Sequence, residues 1–335
     1  MTKEEALRLF YERNGIQSFD VHLDPRLQKL PDRLDAWLRE LPPADHPAFL
    51  TLLSGYTYLT TRTASQLYAA LLNRFEEELN GRGIPLSAAL FVTFEASNGK
   101  KGGSSHVQTD FHRLSVERVH KAQIVASVSR LPSVESAQAI LFLDDIQGSG
   151  KTTLAGILDF CTRFPVVLES KLPLYFAALV PTERGERFIT QACADEGISI
   201  TPFQWGGTYS RRAFEAGFLF PQGEQAPEYV RVKRYEDMID AYLANPPKKH
   251  SKKARVSCSM GFEGSQLLVS FYYNTPNNTL CSFWKETDRH IPLFYRQGKR
   301  LSRPSPREME QKAQALTSAA YAMGEALWED FHDTE

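Results

Sequence analysis

The chain has 335 residues, 42% hydrophobic and 24% charged, with a formal net charge of −1, the profile of an ordinary globular protein. So near neutrality, no global field steers it to nucleic acid or to an anionic membrane, and any such contact must come from a local patch. The four cysteines, Cys161, Cys193, Cys258 and Cys281, are far apart, with no Cys-x-x-Cys and no His in ligand spacing, and read as buried or inert thiols in a reducing cytoplasm. The start "MTKEEALRLFYERNG" is charged and amphipathic, unlike a signal peptide, and no apolar run approaches a membrane span. A cytoplasmic protein with no membrane partner is expected.

Residues 1–83 have a helical pattern. "PDRLDAWLREL" puts Leu34, Trp37, Leu38 and Leu41 on one face, and "ASQLYAALLNRFEEEL" does the same with Leu67, Ala70, Leu71 and Phe75. Turn signals "LPPADHP" and "NGRGIP" punctuate them, so this region is predicted to be a helical cap on the α/β core. Residues 84–245, that core, change character. "LSAALFVTFEAS" is a buried strand candidate and "SVERVHKAQIVASVSRL" reads as a helix. "AILFLDD", "PLYFAALV" and "ISITPFQW" read as strands, with helices predicted for "SGKTTLAGILDFCTRF" and "TERGERFITQACADEG". Strands alternating with helices of this length mean βαβ units, hence an open parallel α/β sheet with ligands at its strand C-terminal ends. "RYEDMIDAYLANP" is a short helix closing this core. Residues 246–300 form a C-terminal α+β element that contains a basic stretch and "SQLLVSFYYNTPNNTLCSFWKE", a strand followed by an Asn/Pro turn. Residues 301–335 read as a helix, with Ser305 as N-cap, Pro306 at N1 and Glu308 closing a capping box.

The chemistry concentrates in "AILFLDDIQGSGKTT". Its Gly150-Lys151-Thr152 invites a P-loop reading, but the first glycine of such a loop would have to stand at position 145, which is Asp145, preceded by Asp144. Two carboxylates at the mouth of a triphosphate loop oppose the ligand's charge. A monophosphate suits the turn better. Gly148 and Gly150 let the backbone approach closely, and freed N–H groups, the Ser149 and Thr152 hydroxyls and the helix N-terminus make a cradle. Asp144 and Asp145 can accept hydrogen bonds from vicinal hydroxyls just before it. A ribose 5-phosphate moiety satisfies both parts.

"LFLDDIQGSGKT" resembles the fingerprint of type I phosphoribosyltransferases: an apolar strand, two acids, an apolar residue, then a small-residue loop. The resemblance implies a type I phosphoribosyltransferase-like fold. In it Asp144 and Asp145 hold the ribose of phosphoribosyl pyrophosphate, and Gly148, Ser149, Gly150, Lys151 and Thr152 hold its 5′-phosphate. Gly148 departs from the pattern, since a hydroxyl-bearing residue is commoner there. "YNTPNNTLCSFW" and "IPLFYR" are similar to the C-terminal signature of phosphoribosyltransferase-like proteins of bacterial conflict systems, some of which accompany retrons. With the helical region, this resemblance covers about residues 35–296. It implies an effector-like component of anti-phage defence, with other defence proteins as partners.

The remaining candidates each have a plainer reading. The loop at 95–105, with Ser97, Asn98, Gly99, Lys100 and Lys101, follows a strand and would receive the departing pyrophosphate through backbone amides and ammonium groups. It reads equally as a surface loop. Asn277, Asn278 and Thr279 form an Asx-type turn by their residue types, and the family resemblance brings them to the cleft or its walls. Trp284 and Arg296 are candidates to stack on a base or pair with a phosphate, or else core and surface residues. Lys248, Lys249, Lys252, Lys253 and Arg255 read as a solvated linker or a nucleic-acid contact. His106, His112 and His120 show no metal spacing, and His106 or His112 is a general-base candidate by proximity in sequence only. The implied chemistry is displacement of pyrophosphate from the ribose C1, with Mg²⁺ bound through the substrate and no protein metal site. Three rival readings are a non-catalytic nucleotide-binding regulator, a P-loop NTPase and a nucleic-acid-binding partner protein.

Overall fold

The structure, a computed structural model, describes residues 1–94, 107, 111, 123–125, 134–206, 210–244, 257–287 and 289–296. The loop at 95–105, the three histidines, the basic stretch and the 301–335 segment lie outside the described residues. Residues Met1–Arg296 form one compact unit.

The chain opens with helices α1 (Lys3–Arg13), α2 (Ser18–Leu23), α3 (Pro25–Gln28), α4 (Leu30–Arg39) and α5 (His46–Ser54). A reciprocal Thr2–Glu5 capping box starts α1. The inner face of α4 buries Leu34, Trp37 and Leu38, as its spacing predicts. After strand β1 (Thr57–Leu59), Thr60 caps the long helix α6 (Thr61–Gly81) through the Thr63 N–H. The buried face of α6 is rotated from the predicted one. Tyr68, Leu71, Leu72 and Phe75 point inward, while Leu67 is half-buried and Ala70 exposed.

The main sheet contains β2 (Ala89–Thr93), β3 (Ile124–Val125), β4 (Ala139–Gln147), β5 (Leu174–Pro181) and β6 (Thr201–Pro202), all parallel, in the order β3-β2-β4-β5-β6. Ile124 and Val125 fall in a stretch predicted to be helical; they pair with Phe91 and Val92 instead, as β-branched residues suit a sheet edge. The predicted strand at "ISITPFQW" shortens to two residues, Thr201–Pro202, with the Phe203 N–H donating to the Phe176 carbonyl at 2.8 Å just beyond it. Helix α7 (Lys151–Arg163) follows β4, then the single turn α8 (Val166–Glu169). Helix α9 (Glu183–Asp195) follows β5, and α10 (Pro227–Ala244) starts earlier than the short helix expected there. Strand β7 (Val269–Phe271) pairs in parallel with β1 to make a second, two-stranded sheet.

Three cores hold these elements. One face of the main sheet packs Phe91, Leu141 and Leu143 against Phe75 of α6, and the other packs Phe142 against Phe160 of α7 and Ile189 of α9. The third core joins Phe10, Trp37 and Phe49 of the N-terminal helices to Phe283 and Phe294 of the C-terminal element. The parts expected at 1–83 and 246–300 therefore share one interior across the chain. Among the described residues no helix is long and apolar enough to cross a membrane.

Candidate functional site

Strand order fixes where a ligand can enter. After β2 the chain moves out to β3, and after β4 it moves the other way to β5, so the direction of winding reverses between β2 and β4. In open parallel sheets the crevice at that reversal, beyond the strand C-termini, is the binding position. The β2–β4 ladder ends at Thr93–Leu143, while β4 runs on to Gln147 with β5 still paired beside it. Asp144 and Asp145 thus lie on the length of β4 that β2 no longer covers.

Side chains alternate across a strand. Phe142 faces the α7 side and Leu143 the α6 side, and the two acids continue these faces. Asp144, 3% exposed, accepts from the Thr153 hydroxyl of α7 through Oδ2 at 2.9 Å, and from the Asp145 N–H through Oδ1 at 2.9 Å. Asp145 accepts from the Ile146 N–H at 2.9 Å and from the Tyr273 hydroxyl at 3.1 Å. Burial, and then the adjoining Asp144 charge, push the Asp145 carboxyl well above the usual carboxylate range, against the opposing pull of Tyr273 and the Ile146 N–H. Burial likewise holds the Tyr273 phenol neutral, so that it donates. The pair is primed to share hydrogen bonds with neutral hydroxyl groups.

The turn after β4 is open at its helical end. Gly150, the N-cap of α7, has φ 77°, a left-handed conformation that glycine adopts without strain, and no side chain caps the helix. The first-turn N–H groups and the positive end of the helix dipole are therefore free for an anion. Thr182, which caps α9, ties the turn in place by donating to the Gln147 and Gly148 carbonyls at 2.6 and 2.9 Å. The turn opens on a cavity of about 1090 Å³ whose wall carries Ser149, Lys151, Arg184, Arg187 and Arg212 together with the acids Glu183, Glu215 and Glu263. Its cations are paired, Lys151 with Glu263, Arg187 with Glu183 and Arg212 with Glu224, so an anion entering there would compete with carboxylates. Thr152 is exposed on α7, whereas Thr153, one residue on, is buried on Asp144.

Three residues of the C-terminal element meet the acids and the turn, and of these Glu263 lines the cavity. Tyr273 lies on Asp145. Asn278 lies against Gly148. Glu263 pairs with the Lys151 ammonium, while Arg184 donates to the Glu263 carbonyl at 3.0 Å. Glu263 sits at φ 55°, beside Gly264 at 68°, in a left-handed conformation that costs a non-glycine residue energy. The element is itself pinned by Glu236 of α10, fully buried, which accepts from the Met260, Cys281 and Ser282 N–H groups at 3.1, 2.7 and 2.8 Å.

Of the other predicted site residues, Asn277 is exposed and its carbonyl accepts from the Phe262 N–H at 2.7 Å, away from the cradle. Thr279 donates to Val269 at 2.7 Å and braces β7. Arg296 stacks 4.1 Å over the Trp284 ring and donates to the Thr275 carbonyl at 2.7 Å, while the Trp284 indole donates to Thr279 at 2.9 Å. These two residues brace the turn from behind. Sequence reasoning misses Thr153, Glu236, Glu263 and Tyr273. Thr153 has a local signal, as the second threonine of "GKTT" on the inward face of α7, and Tyr273 opens the "YNTPNNTLCSFW" stretch. Among the described residues no cluster of three or more His, Cys, Asp or Glu forms a metal cage. Hard oxygen donors are present at Asp144 and Asp145, which fits an Mg²⁺ ion that keeps most of its ligands from water and phosphate.

Comparison with curated proteins and with solved structures finds no match. The PRTase-CE family model matches residues 34–296, a span that starts inside α4 and takes in the main sheet, the turn and the element covering it. On that match the chain belongs to the PRTase-CE family and is a phosphoribosyltransferase-like protein.

Proposed function

We propose that the protein binds phosphoribosyl pyrophosphate, or a nucleotide of ribose 5-phosphate, with the sugar diol on Asp144 and Asp145 and the 5′-phosphate in the turn at 148–152. The observation that carries the reading is the adjacency of two buried acids at the end of β4 to an uncapped helix N-terminus entered through glycines. A pentose hydroxyl reaching Asp145 would replace Tyr273, and a phosphate reaching Lys151 would replace Glu263.

The reaction that fits is phosphoribosyl transfer. The bond from C1 to pyrophosphate breaks with its electron pair leaving on the pyrophosphate oxygen, and an acceptor lone pair forms the new bond to C1. Charge builds on the sugar as an oxocarbenium-like transition state, so the protein's contribution is orientation by the acids and the cradle. Mg²⁺, when bound through the substrate, neutralises the departing pyrophosphate. Lys100 and Lys101, which come after β2 in sequence, would serve the same task. The test is incubation with phosphoribosyl pyrophosphate and Mg²⁺. Pyrophosphate release that is lost in Asp144→Ala and Asp145→Ala supports transfer.

A second reading, a non-catalytic nucleotide-binding regulator, is favoured by the contacts that Tyr273 and Glu263 already make with the ligand-facing groups. Thermal stabilisation by the same ligand without pyrophosphate release selects it. An effector role in bacterial anti-phage defence is the biological setting we propose on the resemblance of the C-terminal element. Plaque counts on cells with and without the gene test it, and equal plating removes it.

A further inference from the structure

Gly148 is the position where the turn departs from a hydroxyl-bearing side chain, and the space such a side chain would need is already filled. A Cβ built on Gly148 would lie 2.3 Å from Asn278 Nδ2, 2.4 Å from its Cγ and 2.7 Å from its Oδ1, far inside contact distance. The intruding group comes from a residue 130 positions further along the chain (278 − 148).

That amide is itself incomplete. Asn278 is 8% exposed, and its Nδ2 has no hydrogen-bond partner. A buried donor without an acceptor carries its desolvation cost with no return, and native structures keep few of them. The residue is also fixed in place. Its carbonyl accepts from the Ser265 hydroxyl at 2.7 Å and from the Leu267 N–H at 3.0 Å, and Trp284 pins the next carbonyl at 2.9 Å. The donor thus rests on the turn at Gly148, two residues before the N-cap of α7, with no acceptor of its own.

We infer that Asn278 is a phosphate-binding residue of this cradle. Its Nδ2–H donates to an oxygen of a phosphate monoester held at the turn, supplying from the C-terminal element the donor that position 148 lacks. The inference rests on the ribose-phosphate reading of the turn and adds to it a residue 130 positions away (278 − 148). A neutral amide adds no charge to the site. It fixes the orientation of a phosphate that the helix N-terminus and Lys151 attract.

The test is titration of the full-length chain with ribose 5-phosphate, read by calorimetry and thermal shift. Asn278→Asp keeps the volume and turns an anion toward the phosphate, and Asn278→Ala removes the donor. Each is expected to weaken binding at least about tenfold, the usual loss for a hydrogen bond to a charged group. Gly148→Ser alone collides with the amide and also weakens binding. The double variant Gly148→Ser, Asn278→Ala makes room for the new hydroxyl and is expected to regain most of the wild-type affinity. Single Asn278 variants that bind as wild type does, or a double variant no better than Asn278→Ala, overturn the inference and leave the ribose-phosphate site standing. A wild-type chain that takes up no ribose 5-phosphate removes the site and this inference together. If a variant does not fold, the wild-type Asn278 side-chain amide resonance decides. It must shift with ribose 5-phosphate and stay put with ribose, and an unchanged resonance overturns the inference.

Discussion

The stretch from β4 into α7 and the segment at 257–296 meet at the same site and are held in different ways. The first lies in a parallel ladder, anchored through contacts with β2, β5 and α9. The second has one three-residue strand and a few tight turns. It keeps its place through buried polar clamps from distant helices. Glu236 accepts from three of its N–H groups, the Trp37 indole donates to Ser282 at 3.1 Å, and Arg33 donates to Pro292 at 2.7 Å. The sheet provides the groups that the proposed function assigns to a sugar phosphate, and the covering element contacts them through Tyr273, Asn278 and Glu263. A ladder distributes its stability over many bonds. A cover held by a few clamps can be released by one substitution.

The largest effect is therefore expected at Glu236. Glu236→Ala leaves three buried N–H groups unpaired and should cost about 3–5 kcal/mol, the scale for removing one partner of a buried charged network. Denaturant unfolding of the two proteins measures it. Glu236→Gln keeps an acceptor and should cost less than half as much. An alanine variant within about 1 kcal/mol of wild type would mean that the cover is not clamped as described.

Asp145→Asn tests the other region and should act in the opposite direction. A carboxyl whose folded pKa is raised binds its proton more tightly in the native state than in the unfolded chain. Stability from this group is intact below the ordinary carboxylate pKa, falls as pH rises toward the raised value, and stays reduced above it. The asparagine variant escapes that loss. Its melting temperature at pH 7 should rise by about 2 °C or more, the response of a domain this size to about 1 kcal/mol. Its stability should also depend less on pH between about 4 and 7, while ribose 5-phosphate binding is lost. A lower melting temperature at pH 7 with an unchanged pH profile would contradict the electrostatic account.

The smallest effect is expected where the two regions touch at the surface. Glu263→Gln removes a carboxylate that competes with phosphate for Lys151, a side chain 57% exposed. Exposed pairs are worth about 0.2–1 kcal/mol, so affinity for ribose 5-phosphate should rise about two- to fivefold and the gain should shrink in high salt. Weaker binding by this variant would make Glu263 part of the ligand site and not its competitor.

The same division explains what can be read in the sequence. The acids, the glycines and the helix after them are contiguous, so one motif announces the strand, the turn and the chemistry together. Tyr273 reaches Asp145 across 128 residues and opens the stretch "YNTPNNTLCSFW", whose resemblance does not say which residue it meets, and Glu263 reaches Lys151 across 112 with no pattern around it. Asn278 stands out in sequence only as part of its turn together with Asn277, and residue type cannot tell the buried amide from the exposed one. The edge strand β3 escapes because two residues inside a helix-like pattern leave too little periodicity to read. The inward face of α6 is misplaced by its pattern because Tyr68 counts as amphipathic in sequence but is buried in the fold.

The most direct test of the central claim removes one hydroxyl from the ligand. Calorimetric titration would compare ribose 5-phosphate with 2-deoxyribose 5-phosphate on the wild-type chain and on the Asp144→Asn, Asp145→Asn double variant. If the acids grip the sugar diol, the wild type should favour the ribose ligand by about tenfold or more, and the double variant should bind both ligands equally. Equal binding of both ligands by the wild type, or a preference for ribose that survives in the double variant, would contradict the claim.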